Sequence, residues 1–471
     1  MTHPVEELAK RIATWGGVPV LVGGSVRDWV MNGSVGSPLN AASADYDVEC
    51  FGITLPRLKE CLHDNGYLYD EVGEQFSVLK VNVFGWGCPL VDISIPRYET
   101  STGDGHKAFQ VMINPELTFK EAARRRDFTM NSLGFEILSG ELLDPYDGER
   151  DIKDRVIRPV SEAFSEDPLR PLRLARFATR FNFAVDADFP LLCKKMRPLA
   201  NSLPSERIWM EIEKAVHESL YFGDFFRFIR GLGWLDLFPE IEALREVEQD
   251  REWHPEGSVF THTVAALNYW SQNLRTGNKE DDLITAIAIL CHDFGKVTHT
   301  QYDVKPGHIT SHGHEEAGAE PTCAFLHRLR QYELAKEVVP LVENHLAPVF
   351  GLKNPRSIRR LSVKVKRLDL LANVSRADQG GRPPRDVSEA MAQIDYFEEQ
   401  LKFNEIPVGG PKPLVGGDFL IELGITPGPH FKQILDAVYE AQLDGWANTP
   451  RSARNEAVKI AREQGFNVEY K

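Results

Sequence analysis

Two aspartates separated by one residue, Asp45 and Asp47, carry the first recognisable chemistry. In a strand, residues i and i+2 point to the same face, about 7 Å apart. Two carboxylates on one face repel each other unless cations lie between them. Two Mg²⁺ ions held there can activate a 3′-hydroxyl and stabilise a leaving pyrophosphate. A bare D-x-D is more often an acidic strand end, and Asp92, in VDISI, is a candidate third carboxylate.

A glycine turn precedes this pair in LVGGSVRD, where a strand-like run meets Gly23 and Gly24 and a helix is predicted to follow. Such a turn aims backbone N–H groups and a helix N-terminus at an anion, and glycine allows a phosphate to approach the backbone closely. Arg27, in the first turn of that helix, can add a forked contact to a phosphate. The turn and the aspartates together favour a site for metal and phosphate.

Arginines recur at i, i+3 and i+6 in EDPLRPLRLAR, as Arg170, Arg173 and Arg176. The spacing of leucine and phenylalanine indicates a packed helix, so these cations need an anion or a carboxylate partner, although such ladders are often solvated faces. Cytosine and adenine both present an amino group and a ring-nitrogen acceptor. A carboxylate paired with a guanidinium would therefore select C and A over U and G.

A second group of possible metal ligands lies in the C-terminal half. Histidines and aspartates follow one another in the order H…HD…H…D, at His262, at His292 and Asp293, at His314 or His345, and at Asp378. An isolated histidine is more often an ordinary surface or core residue. Imidazoles and carboxylates converging from separate helices would, however, hold a divalent transition metal with open positions for water and phosphate.

The elements that must position these residues differ between the two ends of the chain. Strand-like runs (VPVLVGG, DYDVECFG, QFSVLKVNVFG, CPLVDISIPR) alternate with helices before about residue 118. Thr118 and Glu121 predict a capping box for a helix over EAARRRD, and Asp167–Pro168 predicts a helix start. Everything beyond reads as helical, which predicts an α+β head followed by an elongated all-α remainder. Residues 32–44 read as a flexible insertion.

Composition is that of an ordered protein of several domains. The 471 residues are 42% hydrophobic and 26% charged, and no apolar run reaches the length of a membrane span. Six scattered cysteines and an N-terminus without a leader pattern predict a cytoplasmic protein without a membrane partner. A net charge of −15 argues against indiscriminate nucleic-acid binding, yet residues 353–369 carry seven basic residues and one acid. This basic track is a candidate for phosphate contacts.

Several motifs, in order, resemble one family. GGSVRD, DYDVECFG, RRRDFTMNSLGF, EDPLRPLRLARF and SERIWMEIEKA are similar to motifs of class II CCA-adding enzymes and bacterial poly(A) polymerases. The resemblance implies a polymerase-β-like nucleotidyltransferase head in which Asp45 and Asp47 bind Mg²⁺. It implies nucleotide binding by Gly24, Arg27, Arg126, Asp167, Arg170, Arg173 and Arg176, with Asp167 and Arg170 reading the base. It also assigns supporting ion pairs to Glu206, Arg207 and Glu211, and Asp127 is a candidate structural residue.

The implied partners are the tRNA 3′ end, CTP and ATP. VGEQFSVLKV lacks the basic run of the poly(A) polymerases, and RYETSTGDGHKAFQV resembles the flexible loop of enzymes that add A. Both features favour complete CCA addition, with poly(A) synthesis or partial, A-only addition as alternatives. The predicted domains are a head (1–150), a neck (151–245), an HD domain (250–380) and a tail (381–471), and the oligomeric state is left open.

The histidine and aspartate order resembles that of HD-superfamily phosphohydrolases. It implies His262, His292, Asp293 and Asp378 as ligands of a divalent transition metal such as Ni²⁺, with His314 and His345 as further candidates. Phosphatase or 2′,3′-cyclic phosphodiesterase activity is then expected beside nucleotidyl transfer. The alternatives are a hydrolase with a nucleotide-sensing head, and a non-catalytic RNA-binding protein.

Overall fold

The computed structural model describes residues 3–40, 46–72, 78–83, 90–101, 109–303, 308–350 and 354–468. The residues outside these ranges include Asp45 and residues 41–44 of the predicted insertion. They also include residues 73–77, residues 102–108 and Lys353 of the basic track. The chain divides into two compact units, one formed by 1–211 with 228–237 and the other by 212–227 with 238–471. None of the helices within the described ranges has both the length and the apolarity needed to cross a membrane.

The first unit contains a seven-stranded mixed sheet. Its strands run in the order β3-β4-β5-β2-β1-β8-β9, and only β2 and β5 pair in parallel. A separate antiparallel pair, β6 and β7, flanks residues 102–108, which belong to the predicted flexible loop. The strands are β1 (Val18–Val22), β2 (Tyr46–Phe51), β3 (Leu68–Val72), β4 (Val78–Asn82), β5 (Val91–Ser94), β6 (Arg97–Ser101), β7 (Phe109–Ile113), β8 (Gly134–Glu136), β9 (Leu142–Leu143), β10 (Val156–Ile157) and β11 (Ala184–Val185).

The first three helices of the chain contact the sheet, and the helices up to residue 231 follow, the last two of them contributing residues to both units. In the first of them Val5, Leu8, Ala9 and Ile12 are buried, which is the spacing of one helical face. They are α1 (Pro4–Thr14), α2 (Gly24–Met31), α3 (Leu55–Asp64), α4 (Phe119–Ala123), α5 (Gly148–Asp154), α6 (Arg170–Phe181), α7 (Phe189–Met196), α8 (Ser205–Glu218) and α9 (Phe222–Gly231).

The remainder is helical apart from one short antiparallel strand pair, β12 (Gln301–Asp303) and β13 (His308–Thr310). Its helices are α10 (Pro239–Ala243), α11 (Val259–Asn273), α12 (Lys279–Cys291), α13 (Lys296–His299), α14 (His314–Ala317), α15 (Ala319–Arg328), α16 (Tyr332–Glu343), α17 (Ala347–Phe350), α18 (Pro355–Lys364), α19 (Leu368–Gly380), α20 (Ser388–Phe403), α21 (Gly417–Glu422), α22 (Pro429–Asp444) and α23 (Pro450–Glu463).

The predicted α+β head followed by a helical remainder is confirmed, and three local predictions are corrected. The capping box at Thr118 is present, but α4 ends at Ala123, so Arg124–Asp127 are not part of it. Helix α6 begins at Arg170 instead of Pro168, and Asp167 accepts the Leu169 N–H in the turn that precedes the helix. Strands β11 to β13 interrupt the region after Asp167 that is predicted to be helical.

Candidate active sites

The glycine turn and Asp47 lie side by side at the centre of the sheet. Val22, the last residue of β1, pairs with Asp47 of β2, and Asp47 pairs with Asp92 of β5. Gly23 has a φ of +79°, and a Cβ built on it would lie 3.1 Å from Asp47 Oδ2. Helix α2 begins at the next residue. The turn therefore places a helix N-terminus beside an exposed carboxylate, as the sequence predicts.

Asp92, the candidate third carboxylate, is the strand partner of Asp47 and forms an ion pair with Lys80. Its side chain accepts two hydrogen bonds from Lys80 Nζ, at 2.8 and 2.9 Å. The Lys80 cation therefore already neutralises the candidate third carboxylate. Asp47 offers carboxylate oxygens at this site, and Mg²⁺ prefers oxygen ligands of this kind.

Arg27 is buried and bonded on several sides. It is paired with Asp28 at 2.7 Å and donates to Asn131 Oδ1 at 2.8 Å. Its guanidinium also lies 5.3 and 4.9 Å from the ring centroids of Phe177 and Phe181. Burial lowers the pKa of Arg27 despite the adjacent Asp28. Arg27 therefore links the glycine turn to α6 in this structure.

Asp127 connects the arginine-rich segment to α6. It accepts from Arg173 Nε and Nη2 at 2.9 and 2.7 Å and from Asn131 Nδ2 at 3.0 Å. Burial alone would raise the pKa of this carboxyl, but the Arg173 charge and the Asn131 hydrogen bond outweigh it and lower the pKa. Asp127 is therefore held as an anion that orients Arg173.

The remaining arginines of the predicted set are also tied to the protein. Arg126 donates to Glu49 at 3.0 Å, and Arg170 donates to the Arg125 carbonyl at 2.6 Å. Arg176 is buried and donates to Glu211 at 2.7 Å. Arg176 does not line the cavity that Arg126 and Arg170 line, so it contacts the site only indirectly.

Seven of the predicted site residues line one cavity of about 500 Å³ in the first unit. Within the described part of the chain they are Gly24, Arg27, Asp47, Arg126, Asp167, Arg170 and Arg173. The same cavity is also lined by residues that were not predicted from the sequence: Glu49, Ser94, Arg125 and Asn131. Glu49 was detectable, since it lies two residues after Asp47 on the same face of β2. Asp167 accepts from Arg207 at 2.8 Å, so the E-R-x-x-x-E helix contacts this cavity through an ion pair.

The second cluster gathers donors from three helical segments. His262 lies in α11, His292 and Asp293 follow α12, and Asp378 lies in α19. The Nε2 atoms of His262 and His292 are 3.3 Å apart, and Asp378 Oδ1 lies 2.9 Å from the first. Asp293 Oδ2 is 3.2 Å from His292 Nε2. All four predicted ligands therefore converge.

The other nitrogen of each imidazole shows why this cluster suits a cation. His262 Nδ1 is 2.7 Å from Glu256 Oε1, and His292 Nδ1 is 2.7 Å from the Ile289 carbonyl. If both Nδ1 atoms carry the hydrogen, two Nε2 lone pairs face each other and require a proton or a metal between them. Such outer partners are typical of metal-binding histidines. The donor set fits a divalent transition metal.

His314 and His345 complete a cavity of about 440 Å³ around this cluster. Their Nδ1 atoms are each 2.7 Å from a carbonyl oxygen, of Ser311 and Val342. Burial, with the neighbouring histidines, lowers the pKa of His345 to about 3, so it is a neutral donor. Two residues of this site were not predicted from the sequence. Glu256 is the partner of the His262 imidazole, and Lys296 Nζ lies 2.8 Å from Asp293 Oδ2.

The basic track is largely paired within the protein. Arg356 and Arg360 of α18 contact Asp444 at the end of α22, at 2.6 and 2.8 Å, and Arg360 also contacts Glu440. Arg367 is 2.6 Å from Asp281. These cations form an ionic seam between helices, and contact of the basic track with tRNA phosphates stays a prediction.

Comparisons with known proteins match two regions of the chain. Residues 20–158 match the family described as "Poly A polymerase head domain", and residues 259–374 match the HD domain. The Multifunctional CCA protein of Pasteurella multocida (strain Pm70) is 32% identical over 399 residues, 81% of this chain and 86% of that protein. The Multifunctional CCA protein of Nitrosococcus oceani is 36% identical over 315 residues, 66% and 70% of the two chains.

Solved structures give the same fold. The Bacillus stearothermophilus CCA-adding enzyme in complex with CTP has a TM-score of 0.67 at 19% identity, covering 98% of this chain and 99% of that one. The Thermotoga maritima CCA-adding enzyme complexed with tRNA has a TM-score of 0.54 at 18% identity, with 97% and 94% covered. With the head, the HD domain and a curated relative matched over most of both lengths, the chain belongs to the family of multifunctional CCA proteins.

Proposed function

We propose that this nucleotidyltransferase adds CCA to the 3′ end of tRNA from CTP and ATP, without a nucleic-acid template, in the cavity of the first unit. One observation carries the proposal: Asp47, the glycine turn, Asp167 and Arg170 line the same cavity. The family of this chain and its enzyme class are established by its relatives. The tRNA and nucleotide partners are inferred from the names of those relatives and neighbours.

Each group of the cavity has a distinct proposed task. Asp47, with Asp45 outside the described residues, would hold Mg²⁺, which neutralises phosphate charge and favours attack by a 3′-hydroxyl. The backbone at Gly24, at the start of α2, would receive the triphosphate. Arg173, oriented by Asp127, would contribute positive charge, as would Arg27 and Arg126, whereas Arg176 would act indirectly through Glu211.

Base selection is assigned to Asp167 and Arg170. Both line the cavity, and their charges suit the amino group and ring nitrogen that C and A share. In the described structure Asp167 is paired with Arg207, and Arg170 donates to the Arg125 carbonyl. A nucleobase that binds both side chains would replace these contacts with hydrogen bonds to its Watson–Crick edge.

The test uses a tRNA that lacks its terminal CCA, with Mg²⁺ and with CTP, ATP or both. With both CTP and ATP we expect extension by three nucleotides that then stops, and no extension by Asp47→Ala. Asp70→Ala removes an exposed carboxylate of β3 outside the cavity lining and serves as the matched control. Open-ended addition of A without CTP would identify a poly(A) polymerase instead, and absence of any extension would reject the proposal.

A second activity is favoured by the cluster of the second unit. Facing imidazole nitrogens, two carboxylates and an adjoining cavity suit a metal-dependent phosphohydrolase. The metal would hold and activate water at its open positions, while Lys296 offers a cation to the phosphate. We expect Ni²⁺-supported hydrolysis of a 2′,3′-cyclic nucleotide that His292→Ala abolishes without loss of CCA addition. Equal hydrolysis by His292→Ala would place that activity elsewhere.

A further inference from the structure

One aromatic side chain of the cavity in the first unit has no task in the reaction proposed for it. Phe177, on α6, lines this cavity together with Arg27 and Arg173. The residue is only 4% exposed. A nucleobase that stacks on a ring needs an accessible face, and burial of this degree leaves too little. The ring of Phe177 therefore acts on the side chains that surround it.

Three guanidinium groups lie over the Phe177 ring. The Cζ atoms of Arg27, Arg173 and Arg176 are 5.3, 5.5 and 4.2 Å from its centroid. A cation within about 6 Å of a ring centroid is attracted by the electron-rich face, and the attraction is greater where water is excluded. Arg27 and Arg176 are both buried, so their contacts with the ring are shielded from solvent.

The spacing of residues along α6 explains this arrangement. Arg173, Phe177 and Phe181 lie at i, i+4 and i+8, so their side chains form one row on the helix surface. The rings of Phe177 and Phe181 are nearly parallel, at 15°, with centroids 5.8 Å apart. Arg27 Cζ is also 4.9 Å from the Phe181 centroid. Two rings of α6 therefore contact a cation that α2 supplies from beside the glycine turn.

The ion pairs of these arginines leave hydrogen-bond donors for a ligand. Arg173 donates from Nε and Nη2 to Asp127, whereas its Nη1 is 3.6 Å from Glu211 Oε1, longer than a hydrogen bond. A guanidinium has five N–H donors in one plane, so the orientation of that plane decides where the remaining donors point. Contact with the Phe177 ring restricts that orientation. The carboxylate and the ring thus fix different features of the same cation.

We propose that Phe177 is a positioning residue for nucleotidyl transfer, whose ring holds Arg27 and Arg173 where the triphosphate of the incoming nucleotide binds. The inference rests on the function proposed for this cavity. It adds a source of order that charge alone does not provide, because cations that are fixed before binding lose less conformational entropy when the phosphates arrive. In this role Phe177 does not touch the nucleotide, and its effect is confined to the phosphate end of the ligand.

Nucleotide binding in the absence of tRNA tests this role. Isothermal titration calorimetry with Mg²⁺ gives the dissociation constants of CMP and CTP, and their ratio measures what the β- and γ-phosphates contribute. We expect Phe177→Leu to lower this ratio about tenfold, which is the size of effect that a desolvated cation–π contact has. Phe177→Tyr retains the ring face and should keep most of the ratio. An unchanged ratio in Phe177→Leu would overturn the inference.

Phe189→Leu is the matched control, because it removes the same atoms from the same group of packed rings. Phe189, on α7, is fully buried, and its described ring contacts are with Phe128 and Phe164, at 6.1 and 5.0 Å. Phe128 also packs on Phe177, at 5.5 Å. We expect the control to lose stability in circular dichroism melting curves and to keep the ratio of the wild type. An equal fall of the ratio in both variants would assign the effect to packing and contradict the proposal.

Fluorinated phenylalanines introduced in place of Phe177 separate the charge of the ring face from its shape. Each fluorine withdraws electron density from the face with little change in ring size, and so weakens the attraction for a cation. We expect the ratio of the CMP and CTP dissociation constants to fall stepwise through the mono-, di- and trifluorinated rings. A ratio that does not depend on fluorination would reject the cation–π contact as the cause.

The binding measurements remain informative if CCA addition itself is absent. A wild-type chain whose ratio depends on Phe177, yet which does not extend tRNA, would reject the proposed reaction and retain the role of Phe177. Extension of tRNA by the wild type and by Phe177→Leu with equal KM for CTP would retain the reaction and reject the role.

Discussion

Gly23 leaves the space in which the Asp47 carboxylate lies. A Cβ at Gly23 would be 3.1 Å from Asp47 Oδ2. The backbone of Gly23 has a φ of +79°, a value that residues other than glycine rarely adopt. Val22, the neighbour of Gly23, is the strand partner of Asp47. The glycine thus has two separable roles, one in the shape of the turn and one in the position of the carboxylate.

We expect Gly23→Ala to lower the rate of CCA addition by roughly 100-fold, because small displacements of a reacting group have effects of that size. The backbone conformation, with a φ of +79° and a ψ of −143°, should alone cost about 1–3 kcal/mol of stability in the alanine variant. Gly33→Ala is the control, since Gly33 has a φ of +83° and no atom near its Cβ position. Similar loss of activity in both variants would show that strain, and not the contact with Asp47, is responsible. Single-turnover extension assays give the comparison.

Asp127→Asn should destabilise the first unit by about 1–3 kcal/mol, the usual effect of losing hydrogen bonds to a charged partner. Because the pKa of Asp127 is lowered in the folded chain, its contribution is fully present above the unfolded pKa of about 3.9. It is lost as the pH falls through the folded value. The difference in urea midpoint between wild type and variant should stay constant from about pH 8 to 5 and shrink below about pH 4. A difference that changes between pH 8 and 5 would contradict this account.

Glu256→Gln should weaken metal binding at the HD cluster by about 10- to 100-fold, because the partner of a ligating imidazole sets its orientation and basicity. Glu256 Oε1 lies 2.7 Å from His262 Nδ1 and 2.9 Å from His254 Nδ1. Competition with a chelating dye measures the affinity directly. Glu280→Gln, at an exposed position of α12, is the matched control. Unchanged affinity in Glu256→Gln would remove this residue from the metal site.

Arg360→Ala separates an ionic seam from a tRNA surface. Arg360 pairs with Glu440 and Asp444, so we expect the variant to weaken the packing of α18 on α22 and to leave the salt dependence of tRNA binding unchanged. A residue that neutralised one phosphate would instead lower the slope of log K against log salt by about 0.7–0.9. Asp444→Asn should also lower stability, and the double variant should lower it by less than the sum of the two single changes, because the two residues share one ion pair.

The parts of this protein that could be predicted from sequence are those encoded locally. Alternating strands before residue 118, the capping box at Thr118 and the glycine turn depend on neighbours in the chain. Asp47, Asp167 and Arg170 belong to short motifs, and the structure brings all three to one cavity. A motif with a fixed spacing constrains both the element and the face on which its residues lie.

What could not be predicted depends on residues far apart in the chain. Asp444 is 84 positions from Arg360, and nothing near the basic track indicates that an acid will meet it. Lys80 reaches Asp92 only because β4 and β5 pair in one register. Long side chains select their partners after the elements have packed, so a count of charges cannot tell a binding surface from an internal ion pair.

His262 and Asp378 are 116 residues apart in the chain, and their side-chain atoms approach to 2.9 Å. A divalent ion bound by both would act as a removable cross-link that closes this long segment, and closing a long loop restricts the unfolded chain strongly. The metal at the proposed hydrolytic centre would then also hold α11 and α19 together. Removing the metal with a chelator would make the second unit more sensitive to proteases, even when no phosphate ester is present.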